Sequence, residues 1–412
     1  MKQKKILFVC NNLNHGGIPR ALVNLLQEIA GSCEIDLLLF YPSGSYLTQV
    51  PESVRILHGE GLLPLLGIPQ ADLQRTSKPQ ALLRAILVAM SRLLGNSLAR
   101  RIVYASVPEL SGYDAAVSFA QDNSDHAFAV GCNDYVLRKV KAARKIAFVH
   151  CDFEHYGGNT PGVRESYRQF DRIACVSEGC REAFLHVLPE LADRTLVVEN
   201  CTDYGAVRAM ADATDESVMD KGVVNRKNRL PENVESQLNA ARRFRMVTVA
   251  RMNPEKGCLR ALPEVSALME EYPALTWELI GDGPDRATME AAVQTAGLSE
   301  RIRFYGMKDN PYPYVKRAGL FFLPSIHEAA PMVFEEARAL GVPVLTTRTL
   351  SAQHMVADRK SGWVCENSAK GIHDGLRFVL EHPEAWLQMR DSLPERPFDN
   401  TVSHREWEEL IG

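Results

Sequence analysis

The sequence predicts two doubly wound α/β domains in succession, and three observations predict them. Short, continuously apolar runs alternate with segments of helical periodicity through residues 1–205. The same alternation restarts at Met246, after a polar, weakly periodic interval over 203–242. Unbroken apolar strands separated by helices are the pattern of a parallel sheet covered on both faces. The third observation is length: 412 residues suit two domains of roughly 100–200 residues, each large enough to bury a core.

In the first domain, 1–205, Lys5–Cys10 is a β-branched strand ended by Asn11-Asn12. A Gly16-Gly17 turn then leads into a helix over Arg20–Ile29, with Leu22, Leu25, Leu26 and Ile29 on one face. Further strands are predicted at Ile35–Phe40, Ala115–Phe119, Ile146–His150, Ile173–Ser177 and Leu196–Glu199. Residues 206–244 are expected to connect the domains through one or two helices. The second domain, 245–395, should hold strands at Met246–Ala250, Leu275–Ile280, Ile302–Tyr305, Leu320–Leu323 and Val342–Thr346. Residues 396–412 form a last helix, which either packs on the second domain or crosses back to the first.

Composition narrows the chemistry. With 47 basic and 51 acidic side chains, and a net charge of -4, nothing in the balance calls for nucleic acid. Aromatic content of 8%, with 27 Gly and 22 Pro, is globular and argues against global disorder. The nine cysteines are odd in number and scattered, without a CxxC pair, which excludes a zinc ribbon or disulfide scaffold and fits a reducing compartment. The apolar run Ile6–Cys10 is too short for a signal-peptide core, and no stretch is long enough for a membrane span. A cytoplasmic protein is expected.

Four constellations carry candidate chemistry. Gly16 and Gly17 lie between a first strand and a first helix, where backbone can approach an anion and helix N–H groups are free, although a plain loop fits too. The spacing is not GxGxxG, so a dinucleotide fingerprint is unsupported. Arg251 and Lys256 sit five residues apart at the carboxyl end of a strand, in Ala250-Arg-Met-Asn-Pro-Glu-Lys-Gly257. There an Arg fork and a Lys point charge can neutralise a diphosphate, or simply face solvent. Glu328 falls in the loop after strand Leu320–Leu323, and Glu336 in a helix beginning near Pro331 or Met332. Such a pair can accept hydrogen bonds from sugar hydroxyls, or be two solvated carboxylates. Glu335 competes for that role, but one helical step turns a side chain through about 100 degrees. Pro331 breaks any HExxH reading of His327-Glu328. Finally, His150 ends a first-domain strand, in a structural or a catalytic role. There is no P-loop, no GxSxG elbow and no Asp-x-Asp pair to hold a divalent metal.

Together these segments resemble a family 4 glycosyltransferase of the GT-B fold. The resemblance covers nearly the whole chain and is strongest from Met246 to about Cys365. Its most specific part is E-x7-E, matched by Glu328 and Glu336, with Arg-x4-Lys (Arg251, Lys256), Ile280-Gly-Asp-Gly-Pro284 and Asn310-Pro-Tyr-Pro-Tyr314 around it. Gly16-Gly17 and Val176-Ser-Glu178 match in the first domain. The Pro-Met-Val and Asn-Pro-Tyr forms resemble bacterial enzymes of capsular, exopolysaccharide and lipopolysaccharide synthesis.

The resemblance implies two Rossmann-like domains facing a central cleft, and a retaining, metal-independent sugar transfer from a nucleotide-diphosphate sugar, with UDP expected as its nucleotide. It implies that Arg251 and Lys256 hold the diphosphate, Glu336 the ribose hydroxyls and Glu328 hydroxyls of the donor sugar. The backbone of Pro331, Met332 and Val333 would line sugar and phosphate, and Gly306 and Met307 would lie near the base. Gly16 and Gly17 would bring amides to the phosphates, and His150 would stand near the donor sugar. The acceptor would be a glycan or lipid-linked glycan, and no cofactor is implied. Three departures stand out: Ala329-Ala330 where a Gly and a larger residue are usual, His354 where Glu is common, and Glu199-Asn-Cys-Thr-Asp203 for Asn-Gly-Ile-Asp. Ala329 and Ala330 keep alive a non-catalytic nucleotide-sugar-binding protein of this fold. A GT-B nucleotide-sugar epimerase is the other rival.

Residues 73–105 bear on the acceptor. They contain Arg75, Lys78, Arg84, Arg92, Arg100 and Arg101, no acidic residue, and the apolar run Ala85–Met90. A basic amphipathic helix there can lie at an anionic membrane surface, peripheral at the inner face of the cell membrane. The alternative is a helix packed on its sheet with a solvated basic face.

Overall fold

The computed structural model describes residues 3–69, 72–73, 76–213, 244–393 and 398–412. Two compact units result: Met1–Thr202 with Asn400–Gly412, and Asp203–Asp399. The expected connection over 206–244 begins with a helix, Tyr204–Asp212; its remainder from 214 to 243 lies outside the described residues.

The first unit is built on seven parallel strands: β1 (Lys5–Cys10), β2 (Glu34–Leu39), β3 (Arg55–His58), β4 (Leu110–Ser118), β5 (Val140–Val149), β6 (Arg172–Cys175) and β7 (Thr195–Val197). Their order is β3-β2-β1-β4-β5-β6-β7, so the winding reverses between β1 and β4. The unpredicted β3 is an edge strand with half of its residues exposed, so it lacks the apolar run of a central strand. Arg55 on β3 clasps the buried Asp36 on β2 through Nε and Nη2, at 2.7 and 2.5 Å.

The second unit holds six parallel strands: β8 (Arg245–Val249), β9 (Thr276–Ile280), β10 (Ile302–Gly306), β11 (Leu320–Leu323), β12 (Val344–Thr347) and β13 (Gly362–Cys365). The order β10-β9-β8-β11-β12-β13 reverses between β8 and β11. Its core is tied across strands by a polar chain. Trp277 Nε1 on β9 donates to Thr248 Oγ1 on β8, 2.9 Å, and Thr248 Oγ1 donates to the Phe322 carbonyl on β11, 2.5 Å. The unpredicted β13 is another short edge, opened by glycine.

The tail helix, Thr401–Ile411, is part of the first unit. Trp407 is buried with its ring stacked on Phe8 of β1, centroids 5.5 Å apart. The Glu199 and Thr202 N–H groups donate to Glu406 and Asn400 side chains at 2.9 and 3.0 Å, tying down the middle and the start of the helix.

The basic segment corrects a sequence expectation. It forms two helices, Lys78–Leu94 and Asn96–Ala105, which meet at Gly95. Arg100 faces inward, its Nη1 donating to Asp122 and Asp134 at 3.1 and 3.0 Å. A single solvated basic face is therefore not what these cations form, because two carboxylates from outside the segment claim one of them. Arg75 lies outside the described residues. Among the described residues no helix is long and apolar enough to cross a membrane.

Trp407→Ala should lower the unfolding free energy of the first unit by about 3–5 kcal/mol, the range for deleting a buried Trp. Urea unfolding followed by circular dichroism measures this, and a change below about 1 kcal/mol would contradict the packing.

Candidate functional site

The sequence-predicted residues of the second unit gather where its winding reverses. Arg251 and Lys256 follow β8, while Ser325 and Glu328 follow β11, and these two strands are neighbours. Ligands of doubly wound sheets sit outside the carboxyl ends of the strands at such a switch point.

Two loops are clamped together there. Asn253 caps a single turn at Pro254–Lys256, its side chain accepting from the Lys256 N–H at 3.2 Å. Gly257 then takes φ +66°, and a Cβ on it would lie 2.0 Å from the Pro324 carbonyl oxygen. Only glycine permits both that conformation and that approach. The Ile326 N–H donates to the Glu255 carbonyl at 2.7 Å, and Arg260 Nη2 donates to the Pro324 carbonyl at 2.9 Å.

The clamp brings candidate site side chains into contact. Lys256 Nζ donates to Glu328 Oε1 at 2.6 Å, and Ser325 Oγ donates to the same oxygen at 2.7 Å. Glu328 is buried, so the ion pair and hydroxyl together offset its desolvation. Arg251 is exposed and has no ion-pair partner among the described residues.

The helix after this loop is Met332–Ala339, with Pro331 at its cap. The N–H groups of Met332 and Val333 therefore open a helix, where no intrahelical acceptor exists. Glu335 and Glu336 are both buried, but their surroundings differ. Glu335 is held by Arg338, Arg359 and the Tyr204 hydroxyl, at 2.7, 2.8 and 3.0 Å, which is a structural anchorage. Glu336 Oε1 accepts from the Tyr312 hydroxyl at 3.0 Å. Gly306 ends β10 and Met307 beside it is exposed. Gly281 of the Ile280–Pro284 motif lets its loop lie against Ala250, since a Cβ there would stand 1.9 Å from that carbonyl.

The first unit contributes a separate set. His150 follows β5, and its N–H donates to Gln121 Oε1 at 2.7 Å. Its ring stacks on Phe148 and leans on Phe119, with centroids 5.5 and 4.7 Å away. Burial pushes its pKa down to about 3, and a hydrogen bond to the Phe119 backbone opposes this only in part. The imidazole is thus neutral, with a buried Nε2 that takes no hydrogen bond among the described residues. Gly17 opens the helix Gly17–Ile29 and Gly16 caps it. Both are exposed, and no neighbour would crowd a Cβ at either, so packing does not demand glycine.

Sequence reasoning passed over Asn253, Ser325 and Gln121, which hold Lys256, Glu328 and the His150 backbone. Ser-x-x-Glu spacing was a visible cue for Ser325; a cap and a cross-strand glutamine leave none. Among the described residues no group of three or more His, Cys, Asp or Glu side chains could hold a metal ion. All nine cysteines are free thiols.

Two parallel sheets wound in this way define the class: the fold is GT-B. The chain is similar, over 99% of both chains, to the crystal structure of Anabaena Alr3699/HepE in complex with UDP-glucose, with a TM-score of 0.64 and 17% identity. More particularly, the chain carries a glycosyl transferases group 1 region, the family model matching residues 231–396. It is 23% identical over 171 residues to an uncharacterized glycosyltransferase of Haemophilus influenzae, spanning 41% of this chain and 48% of that one. Similarity to the lipopolysaccharide core biosynthesis glycosyltransferase LpsE of Rhizobium meliloti is 26% over 245 residues, 60% of this chain and 63% of that one. The chain thus matches about half to under two thirds of the length of these curated relatives.

Gly257→Ala should destabilise the second unit by about 2 kcal/mol or more, since strain and a backbone clash act together. An unaltered thermal midpoint would show that the clamp is not required. For His150 the sign is set by its lowered pKa. The unfolded chain takes up a proton near the ordinary 6.5 and the folded chain only near 3, so stability is full above about pH 7 and falls as pH drops between those values. His150→Gln should flatten that part of the pH profile in urea titrations, and an unchanged difference between about pH 7 and pH 5 would refute it.

Proposed function

We propose that the protein transfers a sugar from a UDP-linked donor to a hydroxyl of a glycan or lipid-linked glycan acceptor, in cell-surface polysaccharide synthesis, with retention of anomeric configuration. The observation that carries this reading is the meeting of Lys256, Ser325 and Glu328 at the second sheet's switch point, beside the helix N-terminus at Pro331–Val333. The names of the relatives and the UDP-glucose complex of a protein of similar fold support it.

Arg251 and Lys256 stabilise the departing diphosphate, aided by the N–H groups of Met332 and Val333. Glu336, steadied by Tyr312, accepts from the ribose hydroxyls. Glu328, steadied by Ser325, accepts from donor-sugar hydroxyls. Gly306 and Met307 border the base. Gly16 and Gly17 offer amides to the phosphates, and neutral His150 stands near the donor sugar. The acceptor hydroxyl attacks from the face the nucleotide leaves, and the departing phosphate oxygen takes its proton. This chemistry draws on charge stabilisation by side chains, with no metal or cofactor required. The protein works in the cytoplasm, and residues 73–105 attach it to an anionic membrane surface, beside a lipid-linked acceptor.

Lys256→Ala should lower turnover roughly tenfold or more while the fold stays intact. Near-normal transfer would remove Lys256 from the mechanism. A UDP-sugar at 100 times its dissociation constant should add about 2.7 kcal/mol of stability in a thermal-shift screen. Binding without transfer to any glycan acceptor would instead support the non-catalytic alternative.

A further inference from the structure

Nine large hydrophobic side chains are strongly exposed among the described residues, and six of them crowd onto two touching helices. On Lys78–Leu94 these are Leu82, Ile86, Leu93 and Leu94, at 64, 53, 80 and 74% exposure. On Asn96–Ala105 they are Leu98 and Ile102, at 50 and 40%. Single exposed apolar residues are ordinary, whereas a contiguous set is an interaction surface. Intervals of four and seven residues place Leu82, Ile86 and Leu93 on one helical face, and Leu98 and Ile102 share a face on the next helix.

The opposite faces are anchored. Only Leu87 and Ser91 of the first helix are buried, while the second is tied down by Arg100 on Asp122 and Asp134. Asn96 Nδ2 adds bonds to the Ser124 and Ala127 carbonyls at 2.9 and 3.1 Å. The outward stripe is therefore fixed in place, and among the described residues no second apolar layer covers its side chains.

Charge selects the occupant. Lys78, Arg92 and Arg101 are exposed around the stripe, and residues 73–105 contain no carboxylate. A second copy docked face to face would set cation against cation with no acidic residue of the segment between them. An anionic bilayer supplies both an apolar layer for the stripe and phosphate charge for its rim.

We infer that Leu82, Ile86, Leu93, Leu98 and Ile102 insert into the headgroup–acyl boundary of an anionic bilayer, with Lys78, Arg92 and Arg101 on its phosphates. This rests on the membrane reading of 73–105 and deepens it: attachment is by insertion as well as by charge. Arg100 itself takes no part, because that side chain belongs to the protein interior.

Sedimentation of the full chain with vesicles of phosphatidylglycerol and phosphatidylethanolamine, against phosphatidylcholine alone, tests this. The wild type should partition to the anionic vesicles, weaken with salt, and keep a salt-resistant fraction. The variant Leu82→Gln/Ile86→Gln/Leu98→Gln should lose at least about tenfold in partitioning, with thermal midpoint and UDP-induced shift unchanged. The variant Lys78→Gln/Arg92→Gln/Arg101→Gln should bind weakly and without salt dependence. If the apolar variant binds as the wild type does, insertion is overturned while electrostatic attachment stands. If the wild type binds neither vesicle, the membrane reading itself falls. A wild-type dimer that the apolar variant converts to monomer, without vesicle binding, would assign the face to self-association and overturn the proposal.

Discussion

The close approach of Gly257 to the Pro324 carbonyl joins the two loops that build the switch point of the second unit. One loop supplies a cation and the other a carboxylate, and the first has only a single capped turn, Pro254–Lys256, to hold it. The Ile326 to Glu255 bond ties the two loops together, and Arg260 of the following helix, Cys258–Glu271, adds a bond to Pro324. The Lys256–Glu328 pair is then a consequence of loop geometry and does not have to create it. A buried ion pair is a poor stabiliser when it must also fix its own geometry. Here the backbone has already fixed that geometry.

Buried charge recurs through the molecule with different outcomes, decided by partners. Glu335 is held by two guanidinium groups and a hydroxyl, whereas its neighbour Glu336 accepts from the Tyr312 hydroxyl. Arg100 and Arg101 are adjacent in the chain, yet one is a buried two-carboxylate clasp and the other lies in solvent. His150 is made neutral by burial between two aromatic rings. In each case the side chain's type matters less than which neighbours remain to satisfy it.

The central strands were legible in the sequence because burial on both faces demands unbroken apolar runs, and β1 and β11 fall at their predicted bounds. Edge strands β3 and β13 were not, since an edge needs no such run and Arg55 and Gly362 interrupt the pattern. The start of the helix at Met332, and with it the loop position of Glu328, followed from Pro331. Glu335 and Glu336 could be separated only in part: helical geometry turned them apart, but the partners of each come from distant Arg359, Tyr204 and Tyr312. The basic character of 73–105 was plain in the sequence, whereas the inward turn of Arg100 depends on Asp122 and Asp134, far along the chain.

The stacking of Trp407 on Phe8 makes the first unit discontinuous along the chain, completed only by its last residues. During synthesis the sheet β1–β7 emerges first, but the aromatic cover of β1 follows after the roughly 200 residues of Asp203–Asp399. At about 5–20 residues per second that interval lasts roughly 10–40 s. Throughout it, Phe8 lacks the Trp407 ring and keeps Phe119 as its ring neighbour. Completion of one unit is thereby coupled to translation of the other, so a ribosome that stalls within the second unit leaves the first unfinished too.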